Sequence, residues 1–159
     1  MFDYLIHNAR ILDGSGAPAR QRDVALSGGH IAAVGHLTDA EAAQVLDARG
    51  RYLTPGFLDI HRHADDALFR PGWGEAELAQ GLTTVVNGNC GLSLAPVEGP
   101  YRQETLSYLA PIVGQLPAGR DVSTLADYRR QAAHAHPPLH TGMLVGMGTL
   151  RACVAGFRD

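Results

Sequence analysis

Short apolar runs broken by turn residues occupy the first fifty positions. Phe2 to His7, Asp23 to Leu26, His30 to Val34 and Gln44 to Leu46 read as strands, and Gly28-Gly29 between the middle two is a two-residue hairpin signal. Residues 1–52 therefore predict part of a small β-sandwich. From Leu53 onward the pattern becomes strand, helix, strand, which is the signature of βαβ units and a parallel sheet. Phe57, Leu58 and Ile60 suit a buried strand, Gly81 to Val86 a second, and Thr141 to Val145 a third. Glu75 to Gln80, followed by Gly81, reads as a short helix with glycine just past its end. Thr124, with Asp127 three residues later, predicts a capped helix through about Ala133, and Pro137-Pro138 forbids its continuation.

The chemistry concentrates where two of these strands end. The run Pro55-Gly56-Phe57-Leu58-Asp59-Ile60-His61-Arg62-His63 closes on two histidines separated by one residue. On a strand, residues i and i+2 share a face, so both imidazoles are expected to project in one direction, either as polar residues where the strand meets solvent or as half of a metal site. In a (β/α) barrel such a strand end opens at the catalytic face. The second strand breaks into a small-residue loop, Asn87-Gly88-Asn89-Cys90-Gly91, with a cysteine at its tip. Taken alone, such a cysteine reads as an inert buried thiol; as a thiolate it would favour zinc over magnesium or calcium, because zinc accepts soft ligands.

The Pro-Gly punctuation, the His-x-His pair and the acidic pair Asp65-Asp66 resemble the opening motif of the amidohydrolase superfamily. Within it, Gly88-Asn89-Cys90-Gly91 resembles the N-acyl-D-amino acid deacylases, or D-aminoacylases, and the similarity runs on through Ala126-Asp127-Tyr128 to Val145 and Arg151. The resemblance implies an α/β fold, the first strands of an eight-stranded TIM-type barrel over 53–159 after the partial sandwich. It implies zinc held by His61, His63 and Cys90. The reaction implied is hydrolysis of the amide bond of an N-acyl-D-amino acid, a small-molecule substrate, with zinc polarising the acyl carbonyl and activating water. In that family two further histidines and a general-base aspartate come from later strands, so no catalytic residue is expected here. Such a barrel takes about 250 residues, and 159 residues with three strand signals predict an incomplete amino-terminal portion. Asp65 and Asp66 are expected either as hydrogen-bond acceptors behind the metal ligands or as residues of a solvated loop. Met147 departs from the pattern, because the resemblance places a histidine there and a thioether carries no proton.

A cyclic amidase of hydantoinase or dihydroorotase type shares the His-x-His start and is the rival reading. Those enzymes bridge two metals with a carboxylated lysine, and all thirteen basic residues of this chain are arginine. A non-catalytic remnant that at most binds zinc is the alternative from outside enzymology. Composition narrows the field. A 45% hydrophobic, 18% charged chain of net charge −3 and mean hydropathy −0.07 predicts a soluble protein. It offers no basic stripe for nucleic acid and no apolar run near the roughly 20 residues that span a bilayer. Two cysteines are too few for a disulfide framework, and a cytoplasmic, reducing setting suits a thiol free to bind metal. His134-Ala135-His136 repeats the spelling of the pair but falls at a helix end, where residues two apart diverge around the axis. His7, His30, His36 and His140 lack partner spacing.

Overall fold

The computed structural model describes residues 1–157, and these form two compact units, Met1–Pro55 and the chain from Gly56 onward. The first unit is one five-stranded sheet: β1 (Phe2–Ile11), β2 (Arg20–Ser27), β3 (His30–Gly35), β4 (Ala42–Asp47) and β5 (Tyr52–Leu53). Its order is β3-β2-β1-β4, with β5 also on β1. β1–β2 and β2–β3 are antiparallel, while β4 and β5 run parallel to β1. The predicted strands are all present, each longer than its apolar run. Gly28 and Gly29 turn the β2–β3 hairpin with φ of 57° and 77°, the left-handed values that a primed turn requires.

Leu5, Ala9, Val24 and Ala25 are buried in this unit. A groove of about 460 Å³, walled by Ile6, Val24, Leu26, Ile31 and Val34, remains open, with Ile31 and Val34 exposed. A single sheet with nothing packed over that face accounts for the exposed apolar groove. Asp23 fastens the irregularity in β1 between Ile6 and Ala9. Its buried carboxylate accepts the amides of Asn8 (3.0 Å) and Leu37 (2.9 Å) and stands 3.3 Å from His7 Nδ1.

The second unit is α/β, as expected. β6 (Phe57–Asp59), β7 (Leu82–Asn87) and β8 (His140–Met143) form a parallel sheet in that order. Between β6 and β7 lie a 3₁₀ turn (Ala67–Phe69) and α1 (Glu75–Ala79). α2 (Arg102–Val113) and α3 (Leu125–His134) separate β7 from β8, and α4 (Met147–Ala155) follows. Thr124 caps α3, its hydroxyl accepting the Asp127 amide at 3.0 Å, as the spacing predicts. α2 and α4 are not signalled by the sequence pattern. α2 contains Pro111, which removes a helix donor, yet Thr105, Leu109 and Val113 at four-residue spacing are buried. Leu109 and Val113 join Leu94, Val97, Val122, Tyr128, Ala132 and Cys153 in one apolar core, so tertiary burial outweighs local propensity.

Two expectations fail. The first barrel strand ends at Asp59, so His61 and His63 lie beyond it, and its apolar residues are not buried: Phe57, Leu58 and Ile60 are 56%, 63% and 69% exposed. Strands of a parallel sheet are apolar on both faces, and a three-stranded sheet leaves some of that surface open. The third strand spans His140–Met143 and not Thr141 to Val145, so Leu144 and Val145 belong to the following loop and are exposed.

Two measurements check this description. Asp23→Ala should destabilise the first unit by about 1–3 kcal/mol by stripping two amides of their acceptor, read by urea unfolding followed by circular dichroism. The Leu37 amide, with the Asn8 amide and His7, holds the Asp23 carboxyl below its usual range against the opposing effect of burial. A depressed folded-state pKa contributes stability above the unfolded value, and that stability is lost as pH falls through the folded one. Wild type should therefore lose stability below about pH 4, and Asp23→Ala should lose less. A variant as stable as wild type and with the same acid slope would refute the assignment.

Candidate metal centre

β6, β7 and β8 are parallel, so the loops leaving their carboxyl ends emerge on one side, and those loops carry the candidate residues. His61 and His63 follow β6, Cys90 follows β7, and Met147 follows β8. The ligand atoms that His61, His63 and Cys90 offer all lie within 4.8 Å of one another. His61 Nε2 is 3.2 Å from Cys90 Sγ, and the two imidazoles meet edge to face with centroids 5.7 Å apart. Among the described residues this is the one cluster of three or more such side chains.

The convergence comes from a folded loop and not from strand alternation. The His61 amide donates to Asp59 Oδ1 (3.1 Å), closing a tight turn at the strand end. The Arg62 amide donates to Val86 O (3.0 Å), and its guanidinium bridges Asp59 and the buried Glu77 of α1. His61 and Cys90 thus remain exposed at the rim, while His63 is half-buried.

The loop after β7 is shaped by left-handed backbone. Gly88, Cys90 and Gly91 have φ of 77°, 56° and 75°. Cys90 carries a side chain in that region, a strain of about 1–3 kcal/mol that persists where surroundings over-determine it. Those surroundings are backbone. A Cβ on Gly88 would lie 2.1 Å from Leu144 O, and one on Gly146 would lie 2.4 Å from Gly91 O. Ser93 then locks this loop to the start of α4. Its amide donates to Thr149 Oγ1 (2.9 Å), the Thr149 hydroxyl donates to Ser93 O (3.1 Å), and Ser93 Oγ accepts the Gly146 amide (2.9 Å).

The acidic pair is not a solvated loop. Asp65 is 0% exposed and Asp66 6%. Asp65 Oδ2 accepts the Leu94 amide at 2.9 Å, which ties the acidic segment to the chain just beyond Cys90. Burial pushes its carboxyl up to about 6, against the lowering effect of nearby backbone amides, that of Leu94 first. Tyr128 donates its hydroxyl to Asp65 O (2.8 Å), and burial among these carboxylates raises the phenol above its ordinary value. Asp66 pairs with Arg70 at 2.5 Å and rests where a side chain on Gly114 would stand. His63 Nδ1 and Asp65 Oδ1 are both buried and unpartnered, so neither acidic residue hydrogen-bonds an imidazole. His134 turns its Nδ1 onto Arg130 O (2.7 Å), away from the centre, as expected of a helix end. Met147 opens α4 and is 73% exposed.

The donor set suits a soft divalent ion. Two imidazoles and a thiol match the N and S ligands of zinc, and the buried, unpartnered His63 Nδ1 is a polar atom that the protein leaves unsatisfied. Tetrahedral bonds of about 2.0–2.3 Å set donors about 3.3–3.8 Å apart, within reach of a cluster no wider than 4.8 Å.

The packing yields a prediction. Gly88→Ala must push one loop backbone away from another as well as adopt a left-handed conformation, so it should cost on the order of 2–4 kcal/mol. Gly119→Ala has φ of 76° and open space around it, and should cost about 1 kcal/mol. Urea denaturation of both variants checks the contrast, and equal losses would show that the approach of Gly88 to Leu144 carries no energy.

Comparison with known proteins places this geometry. Residues 44–144 match the amidohydrolase family model. N-acyl-D-aspartate deacylase and N-acyl-D-glutamate deacylase of Alcaligenes xylosoxydans xylosoxydans are each 40% identical, over 96% and 99% of the chain, which spans 30% of each relative's length. Among solved structures, N-acyl-D-glutamate deacylase from Bordetella bronchiseptica, complexed with zinc and a phosphonate mimic of the tetrahedral intermediate, superposes with a TM-score of 0.82. The identity is 36%, over 99% of this chain and 32% of that one. A D-aminoacylase with a binuclear metal centre gives a TM-score of 0.78 at 35% identity, over 96% and 31%. With the family model covering most of the chain and the same mixed α/β architecture in these neighbours, the chain belongs to the amidohydrolase family.

Proposed function

We propose that this chain supplies the metal-binding end of a zinc-dependent amidohydrolase that cleaves N-acyl-D-amino acids to a carboxylate and a free D-amino acid. The observation that carries the reading is the approach of His61, His63 and Cys90 to within 4.8 Å at the carboxyl ends of parallel strands. The likeness to deacylases of N-acyl-D-aspartate and N-acyl-D-glutamate supports the substrate class. When bound, zinc would supply Lewis-acid polarisation of the acyl carbonyl and activation of water.

The work of this chain's own residues is to hold and aim. His61 and His63 would donate neutral ring nitrogens and Cys90 a thiolate, which neutralises one of the ion's two positive charges. Asp65, Ser93 and Thr149 keep the Cys90 loop in its strained form, and Arg62 ties the histidine loop to α1. The general base is assigned to an aspartate distinct from these three ligands, as the family resemblance implies. A thiol kept for metal fits a cytoplasmic, reducing setting.

Release of D-amino acid from N-acetyl-D-glutamate and N-acetyl-D-aspartate, beside their L-enantiomers, tests the reading in the polypeptide in which this chain naturally occurs. Turnover confined to the D-substrates and abolished by a chelator is expected. Undiminished turnover after exhaustive chelation, or turnover of L-substrates alone, would overturn it. His61→Ala and His63→Ala should each lower turnover at least about a hundredfold, exceeding the roughly 10–100-fold typical of residues behind the ligands. Thermal unfolding should stay cooperative, because both side chains lie at an open strand end where truncation leaves little cavity.

A further inference from the structure

Two asparagines grip the peptide groups on either side of His63. The Ala64 amide, following His63, donates to Asn87 Oδ1 at 3.1 Å. The Arg62 carbonyl, preceding it, accepts from Asn89 Nδ2 at 3.3 Å, and the same Nδ2 donates to Val86 O at 2.8 Å. The orientation of each amide is dictated by its partners, since an N–H faces one oxygen and carbonyls face the other nitrogen. Both residues come from the segment that ends in Cys90, and they are 1% and 9% exposed. The main chain of Asn87 meets the third loop too, its backbone carbonyl accepting the Leu144 amide at 2.9 Å.

From this juxtaposition we infer that Asn87 and Asn89 are positioning residues that fix the backbone of His63 relative to Cys90 and so preset the metal centre. The inference rests on the proposal that His61, His63 and Cys90 hold the metal. The loop from Ile60 to His63 has no regular secondary structure, and although Arg62 anchors it through its amide and guanidinium, the side-chain contacts to the peptide groups flanking His63 come from these two asparagines. Its free movement would add an ordering cost to every metal-binding event. The clamp removes that cost beforehand through a donor on one side and an acceptor on the other, which prevents both sliding and rotation of the His63 peptide groups. Neither asparagine need touch the ion.

Zinc affinity of the full chain, measured by competition with a chromogenic chelator, tests the clamp in a mutant cycle. Asn87→Leu and Asn89→Leu should each weaken binding about 10–100-fold while far-UV circular dichroism remains that of wild type. In a His63→Ala background the same substitutions should change affinity by less than about threefold, because the group they position is gone. A variant of merely structural effect would weaken both backgrounds alike, and that result, or full affinity in folded Leu variants, overturns the inference. Should a Leu variant fail to fold, Asn87→Ser and Asn89→Ser carry the same cycle. If His63→Ala itself leaves zinc binding unchanged, the metal reading fails and the clamp with it; if His63→Ala weakens binding and the asparagine variants do not, the clamp alone fails.

Discussion

Direct contact of backbone with backbone between the loops leaving β7 and β8 is the constraint on which the Cys90 side of the candidate centre depends. Gly88 lies against Leu144 and Gly146 against Gly91 at separations that no side chain permits. Once these chains touch, their amides and carbonyls are cut off from water and must find partners within the protein. Asp65, Asn87, Asn89, Ser93 and Thr149 are those partners, each buried and each bonded to a loop amide or carbonyl. The buried polar residues that make this region unlike an ordinary core are therefore the consequence of close loop packing, and the placement of His61, His63 and Cys90 is the consequence of those residues.

That dependence explains why the reactive side chains are legible in the sequence and their supports are not. His-x-His and a cysteine in a glycine loop carry chemical identity at short spacing, and the three side chains do converge. The means of convergence is hidden. An imidazole pair two residues apart suggests a strand, yet the strand stops at Asp59 and the loop is shaped by Val86, Asn87 and Asn89, distant in sequence. Asn87 and Asn89 carry no signal of their own within a small-residue loop, since asparagine flanking glycine ordinarily serves a solvated turn. Their one distinguishing sign is that both sit in the same short segment as the candidate ligand.

The fold shows the same division. Strands of the first unit, the Gly28-Gly29 hairpin and the Thr124 cap are local devices, accessible to pattern. α2 and α4 are not, because Pro111 and the Gly146–Gly148 segment oppose a helix locally, and burial of Thr105, Leu109, Val113, Thr149, Ala152 and Cys153 decides otherwise. Phe57, Leu58 and Ile60 mislead in the opposite direction: an apolar run signals burial in a complete parallel sheet and stays exposed in one of three strands.

Asp65 marks where stability and function meet most closely. A carboxylate with no exposure and a carboxyl raised to about 6 is costly to bury, and a hydrophobic isostere would pack there without that penalty. What no apolar residue could do is accept the Leu94 amide, four residues beyond Cys90, while its own backbone carbonyl accepts the Tyr128 hydroxyl. The unfavourable burial of Asp65 thus goes with a hydrogen bond that fastens the chain leaving the Cys90 loop. Met147 stands outside this arrangement: 73% exposed at the first position of α4, it is held by its backbone, with most of its side chain in solvent. The positions that brace the loops through hydrogen bonds are constrained by their partners, whereas an exposed side chain at 147 is not, so the loop architecture does not depend on which side chain stands there.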